Sequence, residues 1–417
     1  MSTTAKESGT AAALQGIRVI DMAAVVMGPY AAQILGDLGA DVVKVEPTAG
    51  DMTRHSQPQR HDGMGALALN VNRNKRSLAV DLKSPEGKEA FVALARSADV
   101  LITNTRPGGL RRLGLDYESL AAVNPRLVYC NAQGFRGDSA RADYAAYDEI
   151  VQSASGLTDL MRRATGVPTY VPTILADKVC ALTIVYSVLA AVVHQRATGE
   201  GQHVEVPMTD TMLAFNLVEH LAGQTFQPPT GEVGFPRSLS PGHRAMPTAD
   251  GWACIIPYTP RNIHDFFTAA GRVELADDVR FSSSAALARH YADLYKLIEQ
   301  LSPSRTTAEW AEICAANSIP FSPVLDLDRA AEDAYVTEGG LLKVGEHPTE
   351  GPYRVIGNPL RFSATPPSIR SHTPSLGQHT AELLTELGYD AATISALADR
   401  GVVRVDGHQP GNTATGK

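Results

Sequence analysis

The sequence predicts an α/β protein whose larger part is a doubly wound, Rossmann-like parallel sheet. Three observations carry this. Short apolar runs read as buried strands, the helical segments between them open on Pro or Ser, and the pattern repeats along the first third of the chain. Gly16 to Asp21 (GIRVID) is the first such strand. The loop Ala23 to Gly28 follows, and Pro29 opens a helix to about Leu38 that Gly39 closes. Pro suits the first helical turn and Gly the residue just past the last one. Asp41 to Glu46 is the next strand, and a strand–loop–helix–strand unit joins parallel neighbours. The second unit runs from a strand at Ser77 to Asp81 into a helix ending near Arg96, with Ser84 as its cap and Pro85 in its first turn. Strands at Asp99 to Thr103 and Leu127 to Ala132 continue the sheet, the latter after a short helix near Tyr117 to Val123.

Bulk properties narrow the function class. The chain has 417 residues, enough for two or three domains, with 20% charged and 44% hydrophobic residues and a net charge of −8. No basic block points to nucleic acid and no basic amphipathic segment to a membrane. No Gly-x-Gly-x-x-Gly joins a strand to a helix and no Walker A motif is present, which disfavours the usual NAD site and NTP hydrolysis. Cys130, Cys180, Cys254 and Cys314 lie far apart without a CxxC pair; we expect buried free thiols and no metal site. Residues 1–12 carry no charged-then-apolar signal and read as a disordered leader, with 404–417 as a tail. A cytoplasmic protein is expected.

The stretch Val167 to Gln195 organises the chain. A Pro- and Thr-rich approach ends at Ala176, Asp177 follows, and Val179 to Val193 is almost wholly apolar. This run reads as a helix buried on most faces. At about 15 residues, with Thr183, Tyr186 and Ser187 inside it, it is too short and too polar to span a bilayer. Asp177 then sits in the first helical turn, where unpaired N–H groups and the dipole favour a carboxylate. Two readings stay open on this pattern: an N-cap, or a carboxylate nucleophile that attacks an acyl thioester.

Further on, Gly199 to Gly201 breaks the chain, His203 to Met208 reads as a strand and Thr209 to Leu221 as a helix. Gln227 to Pro247 is rich in Pro, Gly and Ser, a linker or mobile active-site loop. A second domain follows, with a strand at Gly251 to Ile256, a helix at Asn262 to Ala270 and a capping box from Thr306 to Glu309 opening a helix to Asn317. Phe321 to Leu325 and Leu341 to Val344 are β-like, and Thr380 to Arg400 is helical.

Many of these segments carry one set of motifs. They include Leu14 to Asp21, Gly28 to Ala31, Leu38 to Pro47, Gly50 to Arg54, Asn74 to Ser77, Asn104 with Arg106 to Gly108, Tyr147 to Glu149, Arg196 to Gln202, Gly357 to Pro359 and Leu376 to Thr380. In this order, over about residues 14–402, the sequence resembles the family III CoA-transferases, the CaiB/BaiF group that includes formyl-CoA transferase and carnitine CoA-transferase. The resemblance implies a Rossmann-like large domain built from both chain ends (13–224 and 331–403). It implies a smaller α+β domain inserted at 225–330 and an interlocked homodimer. The family's catalytic aspartate falls on Asp177, which would be loaded as an aspartyl-CoA thioester. CoA is then a cosubstrate shared between acyl-CoA and small carboxylic acids, with no metal and no permanently bound cofactor. Lys75, Asn104 and Arg112 match CoA-binding positions, and Val25, Val26 and Met27 match backbone contacts beside the pantetheine arm. Pro47, Gln133 and Phe135 fall at further contact positions. The family often places a Gly-rich loop over the site; the candidate here is Gly231 to Gly234, which lacks a glycine run, and a plain linker turn is the alternative. Related α-methylacyl-CoA racemases carry a His where this chain has Tyr147, and a phenol is a poor base near neutral pH. The alternatives are a racemase-like isomerase and a non-catalytic CoA-binding paralogue. Asp148 reads as structural, and His55 and His61 as surface residues without partners.

Overall fold

The structure is a computed structural model that describes residues 12–407. The leader, apart from Ala12, and the tail beyond Gly407 lie outside them. The chain divides into two compact units. One comprises the stretches up to Ser155, Pro172–Leu213 and from Gly339 onward; the other comprises Gly156–Val171 and Ala214–Glu338. The second unit thus extends beyond 225–330 on both sides and takes in 156–171 as well.

The first unit is built on strands β1 (Arg18–Asp21), β2 (Asp41–Glu46), β3 (Lys75–Val80), β4 (Val100–Thr103), β5 (Val128–Gln133) and β6 (Gln202–Pro207). All six pair in parallel in the order β3-β2-β1-β4-β5-β6. The chain therefore builds outward from β1 in one direction and from β4 in the other. The order reverses between these two strands, and open α/β sheets bind ligands at such a point, beyond the carboxyl ends. Val19, Ile20, Val100, Leu101 and Ile102 are fully buried, as expected for strands covered on both faces.

The far end of the chain completes this core. Leu383 and Leu384 of the helix Thr380–Glu386, and Ile394, Leu397 and Ala398 of the helix Ala391–Asp399, pack with Leu78, Phe91 and Leu94. Val403–Arg404 then adds an antiparallel edge strand beside β3, with Arg404 opposite Ala79. Arg404, read as tail from the sequence, is therefore part of the sheet. A hairpin of Leu342–His347 and Gly351–Ile356 also belongs to this unit; its second strand was not foreseen.

Sequence cues place several helices closely. Ser84 Oγ accepts the Gly87 N–H at 3.0 Å and opens the helix Pro85–Arg96. Pro29 lies in the first turn of Met27–Asp37, which begins two residues earlier than expected. The apolar helix runs from Leu175 to Thr198, 24 residues rather than the expected length, and by length and composition it could cross a membrane. Here it packs against the helix Met27–Asp37 and against β5 and β6. It is not buried on most faces, because Leu182, Tyr186 and Val193 are exposed by 54%, 63% and 70%.

The second unit holds a three-stranded antiparallel sheet of Met246–Pro247, Trp252–Ile255 and Phe321–Pro323. Its core gathers Phe266, Phe267, Ile298 and Trp310, with Phe266 stacked on Trp310 at 5.1 Å. The Thr306–Glu309 capping box forms as the sequence indicates and opens the helix Thr307–Ala316 that carries Trp310. All four cysteines are free; Cys254 departs from expectation in being exposed.

Candidate active site

Two cavities of about 470 and 340 Å³ lie at the carboxyl ends of the strands. They share Ala24 and Thr105, so together they form one trough across the β1/β4 reversal. The larger one is lined by Met22, Pro47, Met52, Leu82, Leu110 and Leu113, among others; the smaller holds Val25, Met27, Asn104, Gln133, Tyr147 and Asp177. Apolar walls with a few convergent polar groups suit a small-molecule site.

Buried charges lie close to this trough. The Lys75 ammonium donates to Asp21 Oδ2 (2.8 Å), the Pro29 carbonyl (2.8 Å) and Asn72 Oδ1 (2.9 Å). Lys44 faces Asp21 at 3.7 Å and Asp51 at 3.5 Å, and Arg54 grips both oxygens of Glu46 at 2.7 and 2.8 Å. Charges removed from water persist when they are paired and hydrogen-bonded in this way. Lys75, which falls at an expected CoA-binding position, is buried with all three of its ammonium N–H groups committed to partners inside the protein.

The same framework holds the first βα loop. Asp51 Oδ2 accepts the Val25 N–H at 3.0 Å. Asn104 accepts the Ala24 N–H through Oδ1 at 2.9 Å and donates to the Ala24 carbonyl through Nδ2 at 2.8 Å. Between these anchors Val25 adopts φ +67°, costly for a β-branched residue and kept only where neighbours impose it. Both arms of the Asn104 amide are thus engaged with the loop; its side chain shapes the cavity wall. The helix Met27–Asp37 starts immediately after the loop, and its leading N–H groups have no intrahelical acceptor.

Asp177 is the third residue of its helix. The N-cap is Ile174, which makes no side-chain capping bond, so the capping reading of Asp177 is not realised. Asp177 is buried to 9% exposure, and its carboxyl is pushed up to about 7, first by burial and then by the negative charges of Asp148 and Glu149. Asp148, read as structural from the sequence, accepts the Asp177 N–H on Oδ1 at 3.1 Å.

Other expected residues fall as follows. Arg112 is exposed in the last turn of the helix Pro107–Leu113, whose Leu110 and Leu113 line the larger cavity. Pro47 and Gln133 line the trough, and Phe135 meets Tyr144 edge-on at 6.4 Å. Val26 is buried at the start of the first helix. Gly231–Gly234 is tied into the second unit: the Gly231 carbonyl accepts from Gln224 Nε2 at 2.7 Å and the Gly234 N–H donates to the His220 carbonyl. His55 and His61 do have partners, Asp62 at 3.3 Å and Glu350 at 3.0 Å. Sequence reading names Arg106 only as part of a motif and gives it no site role; it lines the cavity with Asp177 and donates to the Asp143 carbonyl at 3.0 Å. Its signal was its position just past the end of β4. Among the described residues no group of three or more His, Cys, Asp and Glu could hold a metal.

Comparison with known proteins gives the family. The family model for CoA-transferase family III matches residues 14–380. A succinate–glutarate CoA-transferase of Agrobacterium fabrum is 34% identical over 385 residues, spanning 90% of this chain and 95% of the relative. A formyl-CoA:oxalate CoA-transferase of Escherichia coli is 32% identical over 410 residues, spanning 92% and 98%. Among solved structures, a CaiB/BaiF family protein from Brucella suis superposes with a TM-score of 0.77 at 29% identity, covering 89% of this chain and 98% of its own. A hypothetical protein from Mycobacterium tuberculosis gives the same TM-score and identity, covering 90% and 100%. The chain belongs to CoA-transferase family III.

Proposed function

We propose that this chain moves CoA from an acyl-CoA to a free carboxylic acid through a covalent thioester on Asp177. The observation that carries the reading is a buried carboxylate at the start of a helix, opening onto a trough at the sheet's reversal point, its field set by other carboxylates. An Oδ of Asp177 attacks the thioester carbonyl carbon, the C–S bond breaks, and CoA leaves as thiolate from a mixed anhydride. The thiolate attacks Cγ of Asp177, the anhydride C–O bond breaks, and the donor acid leaves as a carboxylate. The acceptor carboxylate attacks that Cγ and displaces the thiolate, which then takes the acceptor's acyl group and frees Asp177. The thioester bond energy is kept throughout.

Each addition places negative charge on a carbonyl oxygen. The leading N–H groups of the helix Met27–Asp37, fixed by the Asn104 and Asp51 anchors, are the donors we assign to it. Val25 to Met27 flank the pantetheine arm, while Arg106 and Arg112 supply cations for CoA phosphates. Small carboxylic acids are the expected acceptors, by analogy with the succinate, glutarate, formyl-CoA and oxalate in the relatives' names. Tyr147 in the cavity wall, where a racemase has His, disfavours the isomerase alternative. The exposed apolar face of Leu182, Tyr186 and Val193 supports a homodimer, and four free thiols fit a cytoplasmic location.

The test is a transfer assay with succinyl-CoA, formyl-CoA and acetyl-CoA against a panel of mono- and dicarboxylates. Transfer with at least one pair, lost in Asp177→Ala, is expected. Solvent deuterium entering the α-position of an acyl-CoA without any transfer would instead establish the isomerase.

A further inference from the structure

We infer that Asp148 is a positioning residue that anchors the Asp177 backbone and, by holding a like charge against the resting carboxylate, favours the covalent adduct over the free enzyme. This rests on the transfer reading above. Asp148 opens the helix Asp148–Ala154 and is itself buried. Its Oδ1 accepts the Asp177 N–H at 3.1 Å, and its Oδ2 accepts Gln152 Nε2 at 2.5 Å. Both oxygens therefore act as acceptors, the part an ionised carboxylate plays. Ile174 supplies no capping side chain, so a residue 29 positions away satisfies one of the helix's leading N–H groups.

The charge follows from the same contact. Asp148 and Glu149 face Asp177 from the neighbouring helix, and Cys180 lies one turn further along its own helix. Lys178 turns away to donate to Thr173 at 2.5 Å, and Arg106 in the same cavity donates to a backbone carbonyl. The field on the nucleophile is thus dominated by carboxylates. Above pH about 7 resting Asp177 is an anion; as anhydride or thioester it is neutral. Repulsion from Asp148 raises the free energy of the resting ion and leaves the neutral adduct nearly untouched. Loading Asp177 relieves that repulsion, and the more basic carboxylate is also the better nucleophile.

The test separates charge from position. Asp148→Asn keeps an acceptor for the Asp177 N–H and removes the charge; Asp148→Ala removes both. Asp177 is titrated by carboxyl ¹³C NMR, with Asp177→Asn to assign the signal. The adduct is quantified by intact-protein mass spectrometry at pH about 8.5, well above the Asp177 midpoint, and at a fixed ratio of succinyl-CoA to succinate. In Asp148→Asn we expect the Asp177 midpoint to fall by about one pH unit, and the ratio of adduct to free enzyme to fall about tenfold with it. Asp148→Ala should show the same losses together with a lower melting temperature. A wild type that forms adduct, beside an Asp148→Asn protein whose adduct ratio is unchanged, overturns this inference and leaves the transfer reading standing. A wild type that forms no adduct with any acyl-CoA overturns the transfer reading and this inference with it.

Discussion

Removing the Asp177 charge should make the protein more stable while making it inactive, and the gain should depend on pH in a defined way. The folded carboxyl titrates at about 7 against an ordinary value of 3.8, an interval of about three pH units. Each unit corresponds to about 1.4 kcal/mol of differential interaction, so ionised Asp177 costs the fold about 4 kcal/mol. The sign follows from a raised folded value. Below pH about 4 the group is protonated in both states and costs nothing. Stability is lost progressively as pH climbs from there toward 7, and the loss is complete above it. Asp177→Asn cannot ionise and escapes this loss. Urea unfolding of wild type and Asp177→Asn should therefore differ by about 1.5 kcal/mol at pH 5 and about 4 kcal/mol at pH 8, with the variant more stable at both. A constant difference across this range, or a less stable variant at pH 8, would refute the burial argument. Such a trade of stability for reactivity is common at active sites.

Other expectations follow from the same geometry. Because the nucleophile must be ionised, kcat/KM should rise with pH on an acid limb centred near 7, measured over pH 5 to 9 with one donor–acceptor pair. Asn104→Ala removes both hydrogen bonds on Ala24; at about 0.5–1.5 kcal/mol each, kcat/KM should drop about 5- to 150-fold, with the overall melt little changed. Lys75→Met strands Asp21 with one remaining cation, so unfolding free energy should fall by about 3 kcal/mol, while the protein that stays folded binds CoA nearly as well by calorimetry. Arg112→Gln should weaken CoA binding and flatten its salt dependence without altering the melt, since Arg112 is exposed.

Local chemistry made much of the fold legible. Ser84 before Pro85, the Thr306–Glu309 box and the apolar runs of β1, β2 and β4 each encode their own element, and each forms close to its expected place. Asp177 stands out locally as a carboxylate set just ahead of an apolar run, but that pattern alone leaves capping and nucleophile open, and it is the resemblance to the family that singles it out. What could not be read was who meets whom. Lys75 in isolation is a cation fit for a phosphate; only the folded chain brings a strand residue, Asp21, a helix residue, Pro29, and a residue at a helix end, Asn72, to its ammonium. The two bonds from the Asn104 amide to Ala24, 80 residues earlier, are likewise unreadable in the sequence. Asp148 carries no local mark of its contact with Asp177, since the acidic first turn of a helix is ordinary capping chemistry. The Val25 backbone is invisible in sequence for the same reason: its strain is imposed by Asp51 and Asn104 from outside the loop.

The measurement closest to the central claim is a map of the covalent adduct. The protein is incubated with an acyl-CoA donor, quenched with hydroxylamine and digested, and its peptides are sequenced by mass spectrometry. A hydroxamate is predicted on the peptide carrying Asp177, formed only when donor is present and missing from Asp177→Ala. A protein that transfers CoA at full rate with Asp177 unmodified throughout would contradict it.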